Sequence, residues 1–332
     1  MSTDRIKYLD NARGIAIFLV VLGHCIGAVD NPVNKVILSF HMPLFFIISG
    51  ILLNDKVIEA SSIKHWIIKK CKHLLLPQLT LGLFECVFIL FHFFYENHAF
   101  TSLSVNDVVH AILKWWFLLV MFQVSMISLL LKNFILKKRI RVVLFVAFLV
   151  LIISLQRFGL IFQENTFLFV NILPFAMLFY MIGYLAKNIF ANAKKFLIPV
   201  AILVVIIIYL MNETVLIYQN QYGIFLFFML TSLLGSYAVI GIAQMVNFFF
   251  LEWLGKVCII IYVLQFHLNQ YCSPVVTFLL GKILSSNINE DVYSCLYICL
   301  RTFFSFSLCV LLAYFISRCR YVRSAFGYES AK

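Results

Sequence analysis

The chain has 332 residues, of which 63% are hydrophobic and 12% are charged, and its formal net charge is +12. Soluble domains are about 45–50% apolar and about 25% charged, so this composition excludes an ordinary soluble protein and predicts an integral membrane protein. The positive charge does not indicate a nucleic-acid partner, because lysine and arginine concentrate in alternate loops between long apolar segments. That bias is typical of the cytoplasmic loops of membrane proteins.

About ten segments are long and apolar enough to predict transmembrane helices, packed in one all-α bundle. In chain order they cover roughly residues 12–29, 36–53, 74–95, 115–131, 142–155, 166–186, 196–211, 222–246, 257–269 and 292–317. An even number of spans with the basic loops inside predicts that both termini are cytoplasmic. We find no internal repeat and no linker, so we expect a single membrane domain over residues 1–332.

Two segments outside these spans have their own predictions. Residues 54–73 carry apolar residues at helical spacing opposite several lysines, which predicts an amphipathic helix at the cytoplasmic interface. Residues 272–284 contain a proline and a glycine, and we interpret them as an outer loop or a re-entrant piece.

The nine cysteines are scattered through mostly apolar segments, and no C-x-x-C pair occurs. An odd number without such spacing predicts neither a disulfide framework nor a zinc site. We therefore expect no metal centre.

Ionisable residues stand out in the first two spans, with Arg13 and His24 in the first and His41 in the second. Such residues are costly in a membrane, so each is a candidate functional residue. His24 is eleven positions after Arg13, which places both within about 20° of one helix face and roughly 16 Å apart along the axis. We expect Arg13 near the cytoplasmic end, and His24 buried at or beyond mid-depth, level with His41 on an antiparallel helix.

Each of these residues also has a structural interpretation. His24 suits general-base catalysis, because an imidazole changes protonation near neutral pH, but it also suits a hydrogen bond between helices. Arg13 is either a snorkelling residue paired with Asp10, or a functional residue whose planar, charged guanidinium binds phosphates or a polarised carbonyl. His41 is either a second active-site residue or a satisfied polar contact beside Pro43.

A basic cluster precedes the third span and contains Lys69, Lys70 and Lys72. By charge alone, it predicts anchoring to the anionic headgroups of membrane lipids. Glu85 and Arg301 also fall inside predicted spans, but nothing in the sequence assigns them a role.

Three pieces of the sequence form a recognisable pattern. They are Asp10-x-x-Arg13-Gly14, then His24 after ten intervening residues, then Phe40-His41-Met42-Pro43-Leu44-Phe45-Phe46-x-x-Ser49-Gly50. The pattern resembles the membrane-bound acyltransferase 3 family. Within it, the pattern is similar to the stand-alone O-acetyltransferases of surface polysaccharides, such as the fucose-4-O-acetylase and enterobacterial common antigen types. The resemblance is strong over residues 8–77.

The resemblance implies a function and a set of site residues. It implies transfer of an acyl group, acetyl above all, from acetyl-CoA to a sugar hydroxyl of a cell-surface or lipid-linked glycan, in a bacterial inner membrane. His24 matches the family's essential histidine, with Arg13 and His41 as further catalytic residues. Lys69, Lys70 and Lys72 match a basic segment linked to CoA binding. Acetyl-CoA is the donor substrate, and no resident cofactor is implied.

The main alternative is a polytopic transporter or a glycan flippase, which would also combine many spans with a few buried charges. Transporters often have paired repeats or broken helices in both halves, whereas the polar features here concentrate in the first quarter of the chain. A structural membrane subunit would not need Arg13 and His24 on one helix face. The sequence therefore favours one catalytic site.

Overall fold

A computed structural model describes residues 6–53, 63–97, 104, 108–109, 111–112, 116–132, 138–161, 167–283 and 289–319. Within these ranges the chain is helical and has no β-strand, which confirms the predicted all-α class. The helices are α1 (Lys7–Ile26), α2 (Pro32–Ile51), α3 (Ile63–Lys70), α4 (Leu76–Asn97), α5 (Trp116–Leu131), α6 (Arg139–Arg157), α7 (Leu173–Leu185), α8 (Lys187–Ala191), α9 (Leu197–Met211), α10 (Phe225–Met245), α11 (Phe249–Ile283) and α12 (Glu290–Arg318). A π-helical turn (Cys71–Leu75) joins α3 to α4, and a 3-10 helix (Phe167–Ile172) precedes α7.

Seven of the described helices are long and apolar enough to cross a membrane. They are α1, α2, α6, α7 with the end of its 3-10 helix, α10, α11 and α12. Two shorter apolar helices, α5 and α9, fall below the length of a full span. The structure thus supports a polytopic helical membrane protein, while the count of ten spans and the cytoplasmic location of both termini stay predictions.

The interpretation of residues 272–284 as a loop or a re-entrant piece was wrong. Helix α11 runs without interruption from Phe249 to Ile283 and passes through Pro274. A proline removes one backbone donor, and membrane helices tolerate this when side chains bond nearby backbone groups. Within the same stretch, the Thr277 hydroxyl donates to the Ser273 carbonyl at 3.0 Å.

The predicted amphipathic helix is present in part. Helix α3 covers Ile63–Lys70 with Trp66 buried and the lysines at positions 64 and 69 exposed, and residues 54–62 lie outside the described ranges. Ile63, expected on the apolar face, is exposed as well.

The contacts divide the chain into two compact units, each assembled from separated stretches. The first comprises Met1–Ile48, Ala186–Ile217 and Gln221–Ile316, and the second comprises Ser49–Leu185, Tyr218–Asn220 and Ser317–Lys332. The single-domain prediction for residues 1–332 stays a prediction.

Helix α1 is the central element of the first unit, and its main neighbour is α11. Gly14 packs against the Leu251 carbonyl and Gly255 against the Asp10 carbonyl, at positions where a Cβ atom would collide with the opposite backbone. Near the other end of α1, Asn269 of α11 is its neighbour, so the two helices run parallel. In lipid, helices associate through close packing of this kind, because the apolar tails leave little hydrophobic driving force between them.

Helices α10 and α12 pack against the same central helix in the opposite direction. The Asn11 amide donates to the Val246 carbonyl just beyond the C-terminus of α10, at 2.7 Å. Phe18 meets Phe306 of α12 edge-to-face, with 5.2 Å between the ring centroids. Helix α1 is therefore held by a second helix near its N-terminus and by a third near its middle, which supports the polar residues on it.

In the second unit, side-chain amides satisfy the irregular backbone ahead of α7. Leu168 and Phe169 have positive φ values of 63° and 57°. The amide of Gln123 donates to the Leu168 carbonyl at 3.0 Å, and that of Gln156 donates to the Asn171 carbonyl at 3.0 Å. Non-helical backbone is tolerated at membrane depth when buried partners satisfy it in this way.

Candidate active site

His24 lies in the last turn of α1, and its side chain is exposed. The ring meets Phe266 of α11 edge-to-face, with 6.4 Å between the centroids, and makes no hydrogen bond to the described residues. The sequence led us to expect a buried histidine, but His24 is exposed, and because the helix runs from Lys7 to Ile26 and not over 12–29, the residue falls in its last turn. Its depth in the membrane stays a prediction. A reactive imidazole must be reached by its substrates, so this accessible position suits catalysis.

The helix ends at Gly27, whose φ of 72° is in the left-handed region that glycine adopts without strain. The Gly27 amide donates to the Gly23 carbonyl, which closes the last turn around His24. A residue with a Cβ atom at position 27 would be strained in this conformation. His24 therefore lies at the helix end because Gly27, three residues later, stops the helix.

Two side chains from distant parts of the sequence hold the backbone around His24. The Asn269 amide of α11 donates to the His24 carbonyl at 2.7 Å. Arg301 of α12 donates from Nη1 to the Cys25 carbonyl at 3.1 Å. The last carbonyls of a helix have no partner within it, and their partial negative charge attracts cations. Both contacts therefore stabilise the end of α1 that presents His24.

His41 is 7% exposed, and its Nδ1 lies 2.8 Å from the Ile37 carbonyl one turn earlier in α2. A carbonyl can only accept, so Nδ1 carries the proton and, in the neutral ring, Nε2 is left as an acceptor. His41 also lies within electrostatic range of His24. The sequence left two interpretations open for His41, and the structure shows the satisfied polar contact. Because Nε2 is left as an acceptor, a role as a second active-site residue stays open as well.

Arg13 lies on the same helix, near its other end. Its Nη1 donates to Oδ1 of Asp10 at 3.2 Å, and the side chains are 25% and 2% exposed respectively. The described residues offer no further partner to the guanidinium, which retains free donors. Because α1 is continuous from Lys7 to Ile26, Arg13 and His24 share a face and are separated by roughly 16 Å of helix axis.

The three lysines of the basic cluster lie in the second unit, at the end of α3 and in the π-helical turn. Lys69 and Lys72 are exposed, while the Lys70 ammonium lies over the Trp66 ring, 5.2 Å from its centroid. The cluster thus has at least two exposed ammonium groups, those of Lys69 and Lys72.

Beyond the residues that the sequence assigned to the site, Asn269 and Arg301 hold the last turn of α1. Elsewhere on α11, Gln265 is 1% exposed, and its Oε1 has no hydrogen-bond partner in the described part of the chain. Asn269 gave no sequence signal, since an asparagine in a span is unremarkable, whereas Arg301 was visible as an ionisable residue in a span. No cluster of metal-ligating side chains occurs among the residues that the structure describes.

The comparisons with known proteins yield one match. A family model described as an acyltransferase domain matches residues 6–316, nearly the whole chain. No curated protein and no solved structure matches the chain.

Proposed function

Since the match shows that this chain belongs to the acyltransferase 3 family and is a membrane acyltransferase, we propose that it moves acetyl from acetyl-CoA to a sugar hydroxyl of a surface or lipid-linked glycan. The observation that carries the proposal is the accessible His24 on the same face of α1 as the half-buried Arg13. Family membership favours acyl transfer over the transporter or flippase alternative.

His24 acts at the reacting bond. As a general base, its imidazole takes the proton of the acceptor hydroxyl while that oxygen attacks the thioester carbon. The C–O bond forms, the C–S bond breaks, and the proton passes to the CoA thiolate. In the alternative relay, an imidazole nitrogen attacks the thioester carbon, the C–S bond breaks and the CoA thiolate leaves. The acceptor oxygen then attacks the acyl carbon, the C–N bond to His24 breaks, and the hydroxyl proton passes to the thiolate. Both routes require an accessible ring on a fixed backbone, and the bonds to the His24 and Cys25 carbonyls hold that backbone.

In this proposal, the acyl donor acetyl-CoA binds along α1. Arg13 is a planar, permanently charged fork that suits phosphate, and Asp10 holds it in place through one of its nitrogens. The roughly 16 Å of helix between Arg13 and His24 matches the separation between the phosphates of CoA and its thioester, which are joined by an extended pantetheine arm. The family resemblance separately supports Lys69, Lys70 and Lys72 as CoA-binding residues.

A transfer assay tests the proposal. Membranes that contain the protein are incubated with acetyl-CoA labelled in the acetyl group, and label in the glycan fraction is measured. We expect label only when the protein is present, together with a mass increase of one acetyl per modified sugar. Consumption of acetyl-CoA with no labelled glycan would contradict the acceptor assignment, and no consumption would contradict the donor assignment.

The lysine cluster provides a second test. Replacement of Lys69, Lys70 and Lys72 by glutamine should raise the KM for acetyl-CoA about tenfold, because three charge-assisted contacts to phosphate are lost. The KM for the acceptor should change little. A matched control is the replacement of Lys187, Lys194 and Lys195 by glutamine, which removes the same charge from the first unit. An equal rise in both triple variants, or in neither, would leave lipid anchoring as the role of the cluster.

A further inference from the structure

Attack on a thioester places a negative charge on the acyl oxygen, whether the nucleophile is the acceptor hydroxyl or the His24 ring itself. Enzymes stabilise this charge with preorganised donors, and removing one donor typically costs about 10²–10³ in kcat. Arg13 is too far away to supply this donor, because roughly 16 Å of helix axis separates it from His24. The stabilising group must come from another element near the end of α1.

Arg301 meets this requirement by position and charge. It lies in the middle of α12, within a membrane span, and donates to the carbonyl of Cys25, the residue next to His24. Tyr297, one turn earlier, lies under the guanidinium, with 5.7 Å between its ring centroid and the Arg301 Cζ atom. The guanidinium is thus held by a carbonyl and a ring while most of its donors stay unused.

Arg301 also lacks a counter-ion. Among the described residues it has no acidic partner, and its Nε has no hydrogen-bond acceptor. An uncompensated guanidinium inside a membrane span is costly, and such residues line functional sites. A structural clamp would not require this charge, because the neutral Asn269 amide already performs the same task on the adjacent His24 carbonyl.

We propose that Arg301 is a further catalytic residue, whose guanidinium donates a hydrogen bond to the acyl oxygen of the thioester during attack beside His24. As the new bond to carbon forms, the carbonyl π electrons move to this oxygen, and the N–H groups of Arg301 stabilise the resulting oxyanion. The electron pair then returns, the C–S bond breaks, and the thiolate leaves. Tyr297 and the Cys25 carbonyl keep the guanidinium in place throughout. The inference rests on the proposed acetyl-CoA chemistry.

The test uses acetyl-CoA turnover by full-length protein in membranes at matched protein levels. Arg301→Gln keeps a donor for the Cys25 carbonyl and removes the charge, so kcat should fall about 10²-fold while the KM for acetyl-CoA changes less than about threefold. Arg301→Lys keeps the charge but cannot hold the carbonyl and reach the acyl oxygen together, so we expect an intermediate fall in kcat. Arg157→Gln, at the exposed last turn of α6, is the control and should behave as the unchanged protein.

Two outcomes overturn the inference. In one, Arg301→Gln retains near-normal kcat while Arg301→Ala does not, which would make the residue only a clamp for α1. In the other, the loss in Arg301→Gln appears in KM alone. A wild-type protein that fails to consume acetyl-CoA would instead contradict the proposed function, so the two failures are distinguishable. Millimolar guanidinium should restore part of kcat in Arg301→Ala but none in His24→Ala.

Discussion

His24→Ala is expected to lower acetyl transfer by about 10²–10⁴-fold if His24 is a general base, and by more if it is acylated. The physical reason is that α1 contains no second imidazole, and His41 is buried with its Nδ1 committed to the Ile37 carbonyl. The measurement is transfer of labelled acetyl from acetyl-CoA to glycan, in membranes with equal amounts of inserted protein.

The variant should still insert and accumulate. His24 makes no hydrogen bond to the described residues, and the partners of this turn bind backbone carbonyls that alanine retains. His65→Ala, at an exposed position of α3, is the matched control and should keep full activity. Near-normal transfer by His24→Ala would contradict the mechanism, and a low protein level for this variant alone would show that the ring serves packing.

His24→Gln separates the two mechanisms that remain open. An amide can hold a hydroxyl by a hydrogen bond but can neither take its proton nor carry an acyl group. If His24 is acylated, brief incubation of the unchanged protein with labelled acetyl-CoA alone should leave label on the chain, and His24→Gln should leave none. If it is only a base, neither protein retains label.

The sequence predicted which residues of α1 matter, but not how they are presented. Ionisable residues in an apolar run are visible by composition, so Arg13, His24 and His41 could be found without a structure. The end of the helix could not, because hydropathy continues past Gly27 and the left-handed glycine that stops the helix has no apolar signature. As a result, the sequence placed His24 well inside the predicted span and not in the last turn of its helix.

The groups that hold His24 were beyond the reach of the sequence for a different reason. Asn269 contacts a carbonyl 245 positions away, and Arg301 contacts one 276 positions away. Periodicity reports only which neighbours along one helix share a face. Which helices meet depends instead on close approaches such as that of Gly255 to the Asp10 carbonyl, and a glycine in a span does not name its partner.

For α1 the sequence predicted a helix that ends too late, whereas for α11 it predicted one that ends too early. Proline and glycine between positions 272 and 284 indicated a break, yet the helix continues to Ile283. Tertiary contact outweighs local propensity here, because the Ser273 hydroxyl is hydrogen-bonded to that of Tyr297 in α12, with 2.7 Å between the two oxygens. Long helices in a membrane are stabilised by such neighbours and not by propensity alone.

Arg13→Ala is expected to lower kcat/KM for acetyl-CoA by about 10²–10³-fold, because loss of a partner in a desolvated, hydrogen-bonded charge contact typically costs about 2–5 kcal/mol. Arg13→Lys keeps the charge and a bond to Asp10 but loses the second, parallel donor, so we expect a fall of about tenfold or more. The losses should appear chiefly in the KM for acetyl-CoA, measured against acceptor-saturated membranes.

The single variant alone is ambiguous, since it leaves the Asp10 carboxylate, whose side chain is 2% exposed, without its arginine. A buried charge deprived of its cation destabilises the protein whether or not the arginine binds substrate. The double variant Asp10→Asn/Arg13→Ala removes both charges with a nearly isosteric replacement at position 10, so the α1–α11 contact at Gly255 should persist. We expect the double variant to accumulate normally and still to bind acetyl-CoA weakly. Recovery of a normal KM in the double variant would show that Arg13 serves only to neutralise Asp10, and the phosphates of the donor would then need another site.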